Sequence, residues 1–169
     1  MKKNLVLVGM MAVGKSTIGK IVSRKCELDF IDIDAIIEKK NLMTIKEIFE
    51  KKGENFFRSQ EEDNVLQALK KNSCVIALGG GAFINKKIRE NILKKAISFW
   101  LDVDFKILNK RLMYSKKRPL LKREYDKNKI KELYLERRKI YKLADYKILC
   151  NKLNKEIIAK KIINIYEKK

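Results

Sequence analysis

An α/β fold built on a parallel sheet with helices on both faces is predicted by three observations. Apolar, strand-like runs recur along the chain, amphipathic helical patterns separate them, and a glycine-bracketed loop joins the first run to the first helix. The runs are "NLVLV" from Asn4, "DFIDID" from Asp29, "CVIAL" from Cys74, "ISFWLDV" from Ile97 and "YKILC" from Tyr146. Most of them are largely apolar, as strands covered on both faces must be.

The first run leads into "GMMAVGKST", Gly9 to Thr17, which fits G-x-x-x-x-G-K-[ST]. Glycines let the backbone wrap closely, so successive N–H groups can point at an anion. A helix beginning at about Lys15, with Ile18, Ile21 and Val22 at helical spacing, adds its positive end. Lys15 suits the terminal phosphates as a point charge. The Ser16 hydroxyl suits Mg²⁺, a hard cation that prefers oxygen.

The second run ends in Asp32 and Asp34. Read as strand residues i and i+2, they share a face at the carboxyl end of the sheet, where open α/β sheets bind ligands. One carboxylate suits Mg²⁺ through water and the other suits a substrate hydroxyl proton; capping of the next helix is the competing explanation. "TIKEIFEKKG" then opens with a capping-box pair, Thr44 and Glu47, and ends at Gly53. "FRSQEEDNVLQALKKN" follows and carries Arg58, which alone reads as a solvated helix arginine. Phe49 and Phe57 serve equally as core residues or as packing for a ligand ring.

The third run is followed by "LGGGAF", whose adjacent glycines leave backbone N–H groups exposed and room for a ligand to press close. "NKKIRENILKKA" is helical before the fourth run. "YSKKRPLLKRE", with the chain's single proline, is polar and basic between helical patterns and reads as a mobile segment. A long helix is predicted over "DKNKIKELYLERRKIYKLAD", where Arg137 and Arg138 are adjacent, and "NKEIIAKKIINIYEKK" closes the chain as a last helix.

With 169 residues and 46% hydrophobic content, a single globular domain over 1–169 is expected. No apolar run approaches the ~18 residues of a membrane span. Met1 to Val8 runs directly into the loop without a signal-peptide pattern, so a cytoplasmic protein with no membrane partner is expected. Three dispersed cysteines lack metal-ligand spacing, and the absence of histidine excludes imidazole catalysis. A net charge of +20 is one that nucleic-acid-binding proteins carry. The excess is mostly lysine spread over the whole chain, however, which suits compositional bias or anionic substrates better, so no nucleic-acid partner is expected.

In order along the chain stand the phosphate loop, D-x-D, "FR" with a following acid, G-G-G, R-P-L-L and E-R-x-x-x-Y. This ordered set resembles the shikimate kinase family and runs nearly the whole chain. The resemblance implies a P-loop fold of the nucleoside-monophosphate-kinase type, a three-layer sandwich with a five-stranded parallel sheet and a mobile lid at about 112–124. It implies transfer of the ATP γ-phosphoryl group to the 3-hydroxyl of shikimate, in aromatic amino-acid biosynthesis, with Mg²⁺ as cofactor. A monomer acting on shikimate and ATP is expected. Gluconate or a nucleoside monophosphate is the competing acceptor.

The resemblance also implies roles. Ala12, Val13, Gly14, Lys15, Ser16 and Thr17 surround the ATP phosphates, Arg111 stacks on adenine, and the lid arginine Arg118 approaches the phosphates. Ser16 and Asp32 serve the metal. Asp34 binds the shikimate hydroxyls and orients or deprotonates the nucleophile. Arg58 and Arg137 grip the carboxylate, and Gly80 donates from its backbone. Lys15, Asp34 and Arg118 form the catalytic set. Arg137 is favoured over its neighbour Arg138 by the distance to Tyr141. Ala12 and Val13 depart from the family, which has a glycine and a small residue there, and a different empty-loop geometry is expected.

Overall fold

The computed structural model describes residues 3–113 and 126–169. The expected lid at about 112–124, and Arg118 with it, falls outside the described residues from position 114 onward.

Five strands form one all-parallel sheet: β1 (Asn4–Val8), β2 (Asp29–Asp32), β3 (Cys74–Ala77), β4 (Ala96–Asp102) and β5 (Tyr146–Leu149), in the order β2-β3-β1-β4-β5. Every residue of β1, β3 and β4 is buried, so both faces of the sheet centre are covered. The edge strands β2 and β5 are only partly buried. The covering helices are α1 (Lys15–Cys26), α2 (Ile33–Asn41), α3 (Ile45–Ala68), α4 (Lys86–Lys95), α5 (Phe105–Met113), α6 (Lys127–Tyr141) and α7 (Lys155–Tyr166). Helix α1 packs on α7, and α4 packs on β4.

Local signals set the helix starts. Thr44 and Glu47 make the reciprocal capping box of α3. Asn85, Asp126 and Asn154 cap α4, α6 and α7 with their side chains. Two expectations change. Gly53 does not end a helix: at φ 81° it joins two helical stretches across a kink within α3. The strand expected through Asp34 stops at Asp32, because the Asp32 carboxylate accepts from the Ala35 N–H and starts α2 there.

The carboxyl edge of the sheet positions the site. The phosphate loop leaves β1, Asp32 ends β2, the glycine triplet follows β3, and Asp102 ends β4. The chain passes from one side of β1 to the other between β3 and β4, so these ends surround the switch point of the sheet.

Candidate active site

The phosphate loop runs from Gly9 to the start of α1. A Cβ on Gly9 would stand 2.9 Å from the Leu101 carbonyl oxygen, so only glycine lets the loop pass this close to β4. Gly14 takes φ 101° as the N-cap of α1 and offers no side-chain cap, which leaves the first N–H groups of α1 facing the loop. The first turn of α1 carries no acidic residue that would oppose an anion. Lys15 is 8% exposed, and its Nζ donates to the Gly9 and Met10 carbonyls at 2.7 Å each. The ammonium thus stands inside the curve of the loop. Ser16 and Thr17 are exposed at its mouth, and Val13 is buried beneath it. Arg111 reaches the loop from α5 and donates to the Val13 carbonyl at 3.3 Å.

Ala12 adopts φ 62°, in the left-handed region. Alanine tolerates this at a cost of roughly 1–2 kcal/mol, and a β-branched residue tolerates it less well. Ala12→Val is therefore expected to lower stability by about 1–3 kcal/mol and to weaken ATP binding. Urea melts and an ATP titration check this, and unchanged values in both would show that the loop does not need this conformation.

The glycine triplet is where the remaining candidates meet. A Cβ on Gly79 would lie 2.6 Å from both Asp34 Oδ1 and Glu61 Oε1. On Gly80 it would lie 3.3 Å from an Arg137 guanidinium nitrogen and 3.2 Å from the Met11 backbone nitrogen. On Gly81 it would lie 2.5 Å from an Arg58 guanidinium nitrogen. Two carboxylates and two guanidinium groups thus press on three consecutive backbone positions, and the middle one also touches the phosphate loop. A cleft of about 500 Å³ opens beside them, lined by Arg58, Gly81, Asn85, Glu136 and Arg137 among others.

Arg58 is held on several sides. Glu61 accepts from it at 2.7 Å, and Glu54 accepts from its Nε at 3.2 Å and from a terminal nitrogen at 3.1 Å. The guanidinium lies 5.2 Å from the centroid of the Phe57 ring and 6.0 Å from that of Phe49. Phe57 is itself a core residue, 4% exposed. The two phenylalanines therefore brace the arginine.

Tyr141, on the same face of α6 as Arg137, donates to the Gly80 carbonyl and lies 3.9 Å from the Met10 sulfur. Burial pushes its phenol up to about 12, so it stays a hydrogen-bond donor at neutral pH. Arg138 points elsewhere and grips Asp102.

Glu61 is 1% exposed, and its Oε1 has no hydrogen-bond partner among the described residues. Burial holds its carboxyl above the ordinary 4.5. The Asp34 charge adds to that, and Arg58 and Arg137 oppose it. A carboxyl raised on folding contributes stability that is complete below 4.5 and is lost as pH rises through the raised value. Glu61→Gln is expected to remove this component, so the variant's stability falls less between pH 4 and 7 than the wild type's. Denaturant midpoints across that range check it, and parallel curves would disconnect Glu61 from the pH dependence.

Glu61, Glu54 and Tyr141 were not among the site residues expected from sequence. Their signal was present: Glu54 and Glu61 lie four before and three after Arg58, the spacings at which helix side chains pair.

Ser16 and Asp32 offer the hard oxygens that Mg²⁺ takes when it keeps several waters and shares phosphates. Asp32 spends one oxygen on a long 3.3 Å bond to Ala35 N, and the donor set fits the ion.

A family model described as shikimate kinase matches residues 11–167. A shikimate kinase of Thermodesulfovibrio yellowstonii is 39% identical over 166 residues, which cover 98% of this chain and 96% of the relative. One from Rhizobium leguminosarum bv. trifolii is 40% identical over 161 residues, 95% of this chain and 82% of the relative. The solved structure of shikimate kinase from Acinetobacter baumannii in complex with shikimate superposes with a TM-score of 0.91 at 32% identity, covering 99% of this chain and 94% of that one. With the phosphate loop and the arginine–carboxylate cluster assembled on the expected five-stranded parallel sheet, these matches establish that the chain belongs to the shikimate kinase family, whose members are ATP-dependent phosphotransferases of aromatic amino-acid biosynthesis.

Proposed function

We propose that this chain moves the γ-phosphoryl group of ATP to the 3-hydroxyl of shikimate, with Arg58 and Arg137 on the carboxylate and Asp34 on the hydroxyls. The observation that carries this reading is the convergence of both arginines and Asp34 on Gly79–Gly81, against the backbone of the phosphate loop. Shikimate carries one carboxylate and three hydroxyls. Two planar cations match the former, and an aspartate with the Gly80 N–H matches the latter.

The 3-hydroxyl oxygen attacks the γ-phosphorus, its proton passes to Asp34, and the bond to the ADP oxygen breaks. Such a transfer depends on positioning and charge neutralisation. Lys15 turns from the Gly9 and Met10 carbonyls to the terminal phosphates, beside the N–H groups of Ala12 to Thr17. Ser16 and Asp32 would hold Mg²⁺, which would supply further neutralisation of phosphate charge. Arg111 packs on the adenine side. Arg118, the arginine expected at the phosphates, lies outside the described residues.

Among the described residues no helix is long and apolar enough to cross a membrane. We place the protein in the cytoplasm, as a monomer acting on small anions and not on nucleic acid or a membrane. ADP release with Mg²⁺ and shikimate, gluconate or a nucleoside monophosphate tests the reading. Stimulation by shikimate alone is expected. Stimulation by one of the others without shikimate turnover would overturn it.

A further inference from the structure

Two adjacent arginines on α6 carry the same chemistry, yet only one faces the cleft. We propose that Asp102 and Arg138 form a positioning pair that sets the rotation of α6, so that Arg137 and not Arg138 meets the acceptor carboxylate. This inference rests on the function proposed above.

Asp102 is the last residue of β4 and is 2% exposed. Arg138 donates to its two carboxylate oxygens at 2.8 and 2.9 Å, a two-pronged geometry that fixes direction as well as distance. The same guanidinium lies 5.2 Å from the centroid of the Trp100 ring and 5.6 Å from that of Tyr134. It also donates to the Tyr134 hydroxyl, which donates in turn to the Val103 carbonyl at 3.1 Å. Lys147 reaches the second Asp102 oxygen at 3.0 Å, and its ammonium lies 5.1 Å from the Trp100 centroid. Arg138 is therefore held by an acid, two aromatic rings and a hydroxyl.

Helix geometry turns that anchor into a functional constraint. Neighbouring residues on a helix point about 100° apart. Tyr134 and Arg138, four apart, form a face on Val103 and Asp102 at the carboxyl end of β4, and Arg137 and Tyr141, also four apart, form a face on Gly80. Fixing the first face fixes the second. A small rotation of α6 would swing Arg137 off Gly80 and slide the Tyr141 hydroxyl from the Gly80 carbonyl. Trp100 also abuts the phosphate loop, with its ring 3.6 Å from the Cβ position of Gly9.

Asp102→Asn/Arg138→Gln removes both charges together and leaves groups that can still hydrogen-bond; Lys147 loses its acid but is 44% exposed, so no lone charge is buried. Steady-state kinetics and thermal melts are measured for it and for Arg138→Lys, which keeps the charge but not the fork. The double variant is expected to raise the shikimate KM by about ten- to a hundred-fold, as misplaced binding groups do, while the ATP KM stays within about two-fold. Arg138→Lys should recover only part of the loss. A purely structural staple would lower the melting temperature or the active fraction and leave the shikimate KM in place. Shikimate KM within about two-fold of wild type in the folded double variant, or in Arg138→Lys if the double variant does not fold, would overturn the proposal. Failure of the wild type to use shikimate would instead defeat the function proposed above.

Discussion

Lys15→Ala is expected to lower kcat for shikimate phosphorylation by about 10²-fold or more, the usual consequence of losing one preorganised contact to charge that develops in the transition state. Lys15 is buried at the centre of the phosphate loop, bonded to two loop carbonyls. Its removal takes a unit charge from a partly desolvated site, where water replaces it poorly. The fold should survive, because the main hydrophobic core is built from other residues. Rates alone do not separate a lost charge from a collapsed loop, so circular dichroism and ATP affinity are measured with kcat. A folded variant that still binds nucleotide and turns over at near the wild-type rate would remove Lys15 from the mechanism.

Arg58→Ala is expected to weaken shikimate binding far more than ATP binding. Truncating one partner of a buried, hydrogen-bonded charge pair costs about 2–5 kcal/mol, or roughly 30- to several-thousand-fold in affinity. Arg58 is preorganised for a carboxylate by Glu61, Glu54 and the faces of Phe49 and Phe57. Its loss also deprives the buried Glu61 of its ion-pair partner, so the melting temperature should fall as well. Arg58→Lys should restore charge without restoring the planar fork, and most of the affinity loss should persist. Calorimetric titration of shikimate and of ATP separates the two sites. Unchanged shikimate affinity in folded Arg58→Ala would dismiss it as the carboxylate clamp.

Much of this architecture was legible because its signals are local. "NLVLV" before Gly9 and the Lys15–Ser16 pair require only short-range reading, and Thr44 with Glu47 announces its own helix. The end of β2 was misread because the alternation of Asp32 and Asp34 fits a strand as well as a cap. The Asp32 bond to Ala35 N decided for the cap, a contact that apolar periodicity does not register. Gly53 looked like a helix end because glycine at positive φ usually is one, yet the chain resumes a helix at once.

The site was legible as a set of residue types and less so as a geometry. Arg58 and Arg137 lie 79 positions apart in the chain, and nothing in either segment states that both reach the triplet at Gly79–Gly81. Glu61 was visible as an acid three residues after Arg58, but its burial and its closeness to Asp34 depend on where β3 delivers Gly79. The division of labour between Arg137 and Arg138 depends on Asp102, which arrives from β4 and is separated from Arg138 by 36 positions.

The most direct test of the central claim is the identity of the product. The enzyme is incubated with ATP, Mg²⁺ and shikimate, and the product is examined by phosphorus–proton correlation NMR. If Asp34 presents the 3-hydroxyl to the γ-phosphate while Arg58 and Arg137 hold the carboxylate, the new phosphorus signal correlates with the proton on carbon 3, and one ADP appears for each ester formed. A phosphorus correlated with the proton on carbon 4 or 5, or ATP consumed to give only inorganic phosphate, would contradict that arrangement.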